Sequence, residues 1–323
     1  MPTRTSPLYK IFRIIKDSYI GFRKDNVLKL SASLAYYTVF ALPALALVLI
    51  SLTGIFYGEE AASGVLYHEL DGLIGKNAAL QIQEAIEKRR LAGMSTIGTI
   101  IGAVMLLLSA SGIFGEIQDS INKIWGLKAK PKKGFLTMLF NRVMSFSLVL
   151  GLGFAMLVPL VINGLIAALK DKLELQFPNV NVQLILILDY IIQVVIITYL
   201  FAIIFKMLPD ARIKWRDVLV GALTTTILFL AGKFFLGFYL TRNTSIEAYG
   251  AAGSIVLIML WAYYSSAILY FGAEFTQVYA KRFGSRIMPN KYATWVEVHT
   301  VEVSKPTING DAYYREKGEK KQD

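Results

Sequence analysis

Val182-Gln-Leu-Ile-Leu-Ile-Leu-Asp-Tyr-Ile-Ile-Gln-Val-Val-Ile-Ile-Thr-Tyr-Leu-Phe-Ala-Ile-Ile-Phe205 carries one acidic and no basic residue. About 20 apolar residues at 1.5 Å rise cross a hydrocarbon layer, and this stretch exceeds that length. Five further runs reach or approach it: Leu30 to Tyr57, Thr96 to Phe114, Val143 to Leu169, Val218 to Leu240 and Gly250 to Tyr279. The predicted fold is therefore all-α: a polytopic membrane protein with a bundle of six transmembrane helices. Mean hydropathy is +0.50 and 55% of residues are hydrophobic, above the roughly 45–50% of soluble domains.

The charges flanking these runs sort by side. Lys and Arg number seven before the first run, six between the second and third, four between the fourth and fifth, and nine after the sixth. The other three connections carry four, two and one. Alternate connections are basic, as the positive-inside bias requires, so both termini are expected in the cytoplasm. The net charge of +11 is then accounted for by topology and by contact with anionic lipid headgroups, with no nucleic-acid partner. There are no cysteines, which excludes disulfides and Cys-ligated metals. The first run reads as a retained signal anchor, being long, distant from the start and without a cleavage site.

Three regions follow: a cytoplasmic amphipathic segment over 1–29, the six-helix domain over 30–281, and a polar cytoplasmic tail over 282–323. In the first, Leu8, Ile11, Phe12, Ile15, Tyr19 and Phe22 recur at three- and four-residue steps among Lys10, Arg13, Lys16, Arg23 and Lys24. That spacing predicts a helix lying in the membrane interface, or else packed on cytoplasmic loops. Pro43 and Pro159 predict kinks in the first and third spans. The outer connection, 58–95, is expected to hold one or two short helices. In the tail, Val296, Val298, Val301 and Val303 hint at a strand, and the composition from Asp311 predicts disorder.

The motifs of hydrolytic and nucleotide chemistry are missing. The two histidines, His68 and His299, fall on opposite sides of the predicted membrane, and no HExxH, Walker A, GxSxG or GxGxxG occurs. Glu116 and Asp119 lie one turn apart with nothing nearby in sequence to complete a metal site. No cofactor and no enzymatic activity is expected.

Ionisable residues within spans are costly, about 2.5–3.5 kcal/mol each, and so point to function. Asp189 and Lys233 fall at similar depth in successive antiparallel spans. With Gln193 one turn below Asp189, and Asn163 at comparable height, they form a candidate outer polar cluster. The competing reading has Lys233 reaching to the headgroups and Asp189 capped by Tyr hydroxyls. A candidate inner cluster comprises Glu274, Ser33 and Tyr37, its competitor being a Glu274 held by loop Lys or Arg. Trp261, Tyr263 and Tyr264 are too deep for interfacial anchors and are expected to line the bundle interior or a groove.

Four segments in order resemble the YihY/BrkB family of bacterial inner-membrane proteins: Ser31-Ala-Ser-Leu-Ala-Tyr-Tyr-Thr-Val-Phe-Ala-Leu-Pro43, Ser111-Gly-Ile-Phe…Asn122-Lys-Ile-Trp125, Trp215-Arg-Asp-Val-Leu-Val-Gly-Ala222, and Tyr249-Gly-Ala-Ala-Gly-Ser254…Leu260-Trp-Ala-Tyr-Tyr264…Gly272-Ala-Glu274. The resemblance covers most of Leu30 to Lys281. It implies six membrane helices, and makes Ser33, Tyr37, Asn122, Trp125, Gly221, Trp261 and Glu274 recurrent family positions. Relatives have carried the label ribonuclease BN, which these residues do not support. Others are linked with serum resistance and export of envelope lipid. Two functions are carried forward: a transporter or translocator of a lipid or amphipathic small molecule, and a non-transporting scaffold for envelope biogenesis.

Overall fold

A chain without water around it must satisfy its backbone internally, and the fourth, fifth and sixth apolar runs do so as helices. The computed structural model describes residues 7–40, 67, 79–80, 83–84, 112–129, 182–242, 250–290 and 293–296. Six helices are labelled in chain order: α1 (Pro7–Lys24), α2 (Val27–Phe40), α3 (112–124), α4 (Val182–Met207), α5 (Trp215–Arg242) and α6 (Gly250–Arg282). Among the described residues, α4, α5 and α6 are long and apolar enough to cross a membrane. They correspond to the fourth, fifth and sixth predicted spans. Most of the first three spans lies outside the described residues, as do Pro43, Pro159, Asn163 and nearly all of the outer connection.

Helix α4 packs on α5, and α5 on α6. Phe201 of α4 meets Phe229 of α5 edge-on at 5.8 Å, and Phe229 meets Trp261 of α6 at 5.9 Å. The Thr198 hydroxyl donates to that of Thr226 at 3.0 Å, which in turn donates to the Ala222 carbonyl. Each hydroxyl thus spends its proton within the bundle.

Helix α1 lies along α6. Ile14 and Ser18 are buried, Phe22 meets Phe271 edge-on at 6.0 Å, and Asp17 is ion-paired with Arg282. The chain then turns at Asn26, whose φ of 54° is one that asparagine tolerates better than most residues. The Lys29 and Leu30 amides donate back to its carbonyl, opening α2.

Two short antiparallel ladders tie the connections together. β1 (Leu127–Ala129) pairs with β4 (Ala293–Trp295), with Leu127 opposite Trp295. β2 (Ala211–Arg212) pairs with β3 (Met288–Pro289). The segment past Arg282, read from sequence as the start of a polar tail, is therefore structured over 283–290 and 293–296, and the Val296 amide donates to the Gly126 carbonyl at 2.9 Å. The strand falls just before the valines that hinted at one. The core lies beside these ladders, where Ile121, Trp125, Phe205, Val218 and Tyr270 are fully buried together.

Candidate functional site

The end of α3 fixes the geometry of this region. Gly126, with φ of 68°, is the left-handed residue that stops the helix, a conformation in which a Cβ is strained. Just before it, Trp125 is buried between α3 and α6 and its indole Nε1–H donates to the Ala273 carbonyl at 3.0 Å. The Gln277 amide donates to the Ile124 carbonyl at 2.9 Å, satisfying one of the acceptors a helix C-terminus leaves open. Asn122 makes two bonds with Asp210: its Nδ2 donates to Oδ2 at 3.0 Å, and its Oδ1 accepts from the Asp210 amide at 2.8 Å. Both family-motif residues of this segment are thus clamps between α3 and the chain on either side of α5.

Where α5 begins and α6 ends, Asp217 plays a similar part. It is 3% exposed, and its Oδ2 accepts from both the amide and the hydroxyl of Ser285 at 2.8 Å. A carboxylate in the first turn of α5 also suits the positive end of that helix's dipole.

Between these ends, α5 and α6 approach closely through a shared five-residue pattern. Gly221-Ala-Leu-Thr-Thr225 on α5 faces Gly272-Ala-Glu-Phe-Thr276 on α6. Thr276 occupies the space a Cβ at Gly221 would need, and Thr225 does the same at Gly272. Each threonine hydroxyl donates to the carbonyl of the glycine four residues earlier on its own helix, at 2.8 and 2.7 Å. Small residues at such a crossing let backbones approach and turn the hydroxyls inward.

Glu274 lies within this stretch of α6, between Gly272 and Thr276, and is 1% exposed. Its carboxyl presses on Gly21 of α1, where a Cβ would lie 2.5 Å from Oε2. The Asp25 carboxyl and the Lys24 and Lys281 ammoniums lie within electrostatic reach of it. Its other oxygen, Oε1, has no hydrogen-bond partner among the described residues.

The predicted inner cluster is therefore rearranged. Tyr37 is 40% exposed and its ring lies against Gly112 at the opposite end of α3 from Trp125. Thirteen residues of helix separate those levels, roughly 20 Å at 1.5 Å per residue. Tyr37 thus belongs to another layer than Glu274, and Ser33 is half-buried one turn before it on α2. Gly21 and Asp25, which sequence periodicity assigned no role, take their place. In the outer cluster, Gln193 and Lys233 are half-buried. The register set by Thr198–Thr226 and Phe201–Phe229 brings Gln193 level with Lys233, and Asp189 about one turn further along. Asp189 is within α4, its side chain outside the described residues. Trp261 is half-buried against Phe229 and Tyr264 reaches over Gly232, both where α6 meets α5. Glu116 and Asp119 are joined by Asp210, and burial, with those two carboxylates, raises the Asp119 carboxyl above its ordinary range. Among the described residues no three His, Asp or Glu side chains converge as metal ligands.

The chain resembles several curated proteins, each named a UPF0761 membrane protein. That of Alkalilimnicola ehrlichii is 29% identical over 80% of this chain, which spans 56% of the relative's length. Those of Psychromonas ingrahamii and Mannheimia succiniciproducens are 28% and 26% identical over 78% and 80% of this chain, covering 82% and 87% of their own lengths. No solved structure matches. The model of one family, described as virulence factor BrkB, matches residues 18–294 and so takes in α2 to α6, the first three strands, most of the fourth, and the α1–α6 contact at Gly21. The chain belongs to the BrkB family of membrane proteins.

Proposed function

We propose that this chain is a multi-pass inner-membrane protein that translocates a lipid or another amphipathic envelope component, with no ATPase and no enzymatic reaction of its own, and with both termini cytoplasmic. The observation that supports the reading is Glu274: an ionisable side chain buried in a helix long enough to span, with one oxygen left without a partner. Such a group costs stability and is kept where a proton, ion or polar headgroup has to be met inside the layer. Anionic lipids are the partner expected at the cytoplasmic surface. Ile11, Phe12, Ile15 and Tyr19 of α1 form an exposed apolar face beside its basic one, the profile of a helix lying in a headgroup layer.

A scaffold without transport is the second reading. The interlocked Gly221–Thr276 and Gly272–Thr225 contacts favour it, because they hold α5 and α6 too close for anything to pass between them. The deciding experiment reconstitutes the full chain in vesicles of phosphatidylethanolamine and phosphatidylglycerol with a headgroup-labelled lipid in the inner leaflet. Faster appearance of label outside, diminished by Glu274→Gln, is the expected result. Vesicles with and without protein that behave alike would leave the scaffold.

A further inference from the structure

Helix α1 meets α6 through a face unlike an ordinary apolar seam. It sets Ile14 and Phe22 among Asp17, Ser18, Gly21 and Asp25, at the three- and four-residue steps of one helix side. Its apolar neighbours Ile11, Phe12, Ile15 and Tyr19 stay exposed. The docking of α1 therefore depends on polar contacts to an unusual degree. One end of the face is the Asp17–Arg282 ion pair, partly open to solvent. The other is Glu274, closed off from solvent and set against the Gly21 backbone.

At this closed end two acids meet. Asp25 follows Gly21 by one turn on the same side of α1, its amide donating to the Gly21 carbonyl at 2.9 Å, and its carboxyl lies within electrostatic reach of Glu274. Ionised carboxylates only accept, so a bond between the two needs a proton. The surroundings suit one. The Gly21 backbone closes one side of Oε2, and the ammoniums within electrostatic reach, Lys24 on α1 and Lys281 on α6, are both exposed to water, which screens them from the closed carboxyl.

We propose that Glu274 and Asp25 form a proton-binding site that latches α1 onto α6, occupied by a single proton shared between the two carboxyl groups. Binding takes one proton from solution and changes the pair's charge from −2 to −1. Release leaves two carboxylates facing each other in a closed site, which is relieved when the α1–α2 corner lifts and water enters. Lifting frees the apolar and basic faces of α1 to move together at the membrane surface. The latch stands on its own geometry and holds whether or not the chain translocates a lipid.

The test uses the full chain in lipid nanodiscs. Hydrogen exchange across residues 18–25, corrected for the intrinsic rate at each pH, is expected to speed up about tenfold per pH unit above the release point, the slope that one proton imposes. Glu274→Gln and Asp25→Asn each supply an amide donor in place of the shared proton and should remove that slope. Infrared difference spectra of the unmutated protein, with carbon-13 in its Glu and Asp carboxyl groups, should show a protonated-carboxyl band that disappears at alkaline pH. That measurement stands even if a variant does not fold. The proposal is overturned if the slope persists in a folded Glu274→Gln protein, if no such band exists, or if sodium or potassium concentration rather than pH governs the exchange.

Discussion

Thr276 of α6 fills the notch left by Gly221 of α5, and the same contact recurs with the helices exchanged, Thr225 of α5 filling the notch at Gly272 of α6. On each helix the notch and the threonine that fills the other notch lie four residues apart, so an antiparallel crossing brings both contacts into register at once. A methyl group added at Gly221 has nowhere to go, since Thr276 is pinned by its own bond to the Gly272 carbonyl. Gly221→Ala should cost about 1–3 kcal/mol, the usual range for overpacking a filled core. Thr276→Ala in the same chain should recover part of it. Thermal unfolding of the two single variants and the double variant gives the coupling; costs that simply add would mean the two residues do not touch.

Asn122 is an amide facing a carboxylate and a backbone N–H, and both of its polar atoms are in use. Asn122→Ala leaves the Asp210 carboxylate and amide without these partners and should destabilise by about 1–3 kcal/mol. Asn122→Asp keeps the acceptor for the amide but sets a carboxylate against a carboxylate. That variant should be worse than Asn122→Ala at neutral pH and should recover as pH falls, because protonation restores a donor. Melting temperature against pH for the two variants distinguishes a lost bond from a created repulsion.

Asp119 offers a pH dependence of known sign. Burial first, then Glu116 and Asp210, raise its carboxyl pKa above the ordinary 3.8. The folded protein holds that proton more tightly than the unfolded chain does. The stabilisation is fully present only when the unfolded form is also protonated, and it is lost as pH rises from 3.8 through the raised value. At neutral pH the ionised side chain is therefore a small liability, reduced by its exposure to water. Asp119→Asn should raise the melting temperature slightly at neutral pH and leave it unchanged or lower at acid pH. A variant equal to the parent at every pH would mean that the three carboxyl groups do not interact.

The sequence reveals some of this site and hides its partners, for a physical reason. Asn122, Trp125 and Gly221 are marked in it by the family resemblance alone, whereas Glu274 is visible as an ionisable residue within an apolar run. Their partners Asp210, Ala273, Thr276 and Gly21 are 88, 148, 55 and 253 residues away, and periodicity describes a face without naming what covers it. The helical reading of α1 and the apolar lengths of α4, α5 and α6 depend only on local spacing and are legible. The strand at Ala293–Trp295 is not, since three residues become a strand only by pairing with Leu127–Ala129. Sequence position alone groups Tyr37 with Glu274, since both fall toward the inner ends of their spans, and α3 shows how far apart those levels are.

Topology remains the premise of the proposed function, and the chain is well suited to testing it because it contains no cysteine. Single substitutions Lys88→Cys, Lys128→Cys and Lys320→Cys sample the long connection after the first span, the β1 strand after α3, and the region near the C-terminus. Alternating basic connections place the first outside the cell and the other two inside. In intact cells with a permeabilised outer membrane, a membrane-impermeant maleimide should label the first alone; after lysis it should label all three. The β1 position carries a further constraint. Lys128 is paired opposite Thr294 across the ladder, so wherever residue 128 faces, the structured segment at 293–296 faces also, and Thr294→Cys must label on the same side. Labelling of the two on opposite sides would break the ladder itself, while labelling of both from outside would keep the ladder and invert the orientation, moving the Glu274–Asp25 site to the outer face.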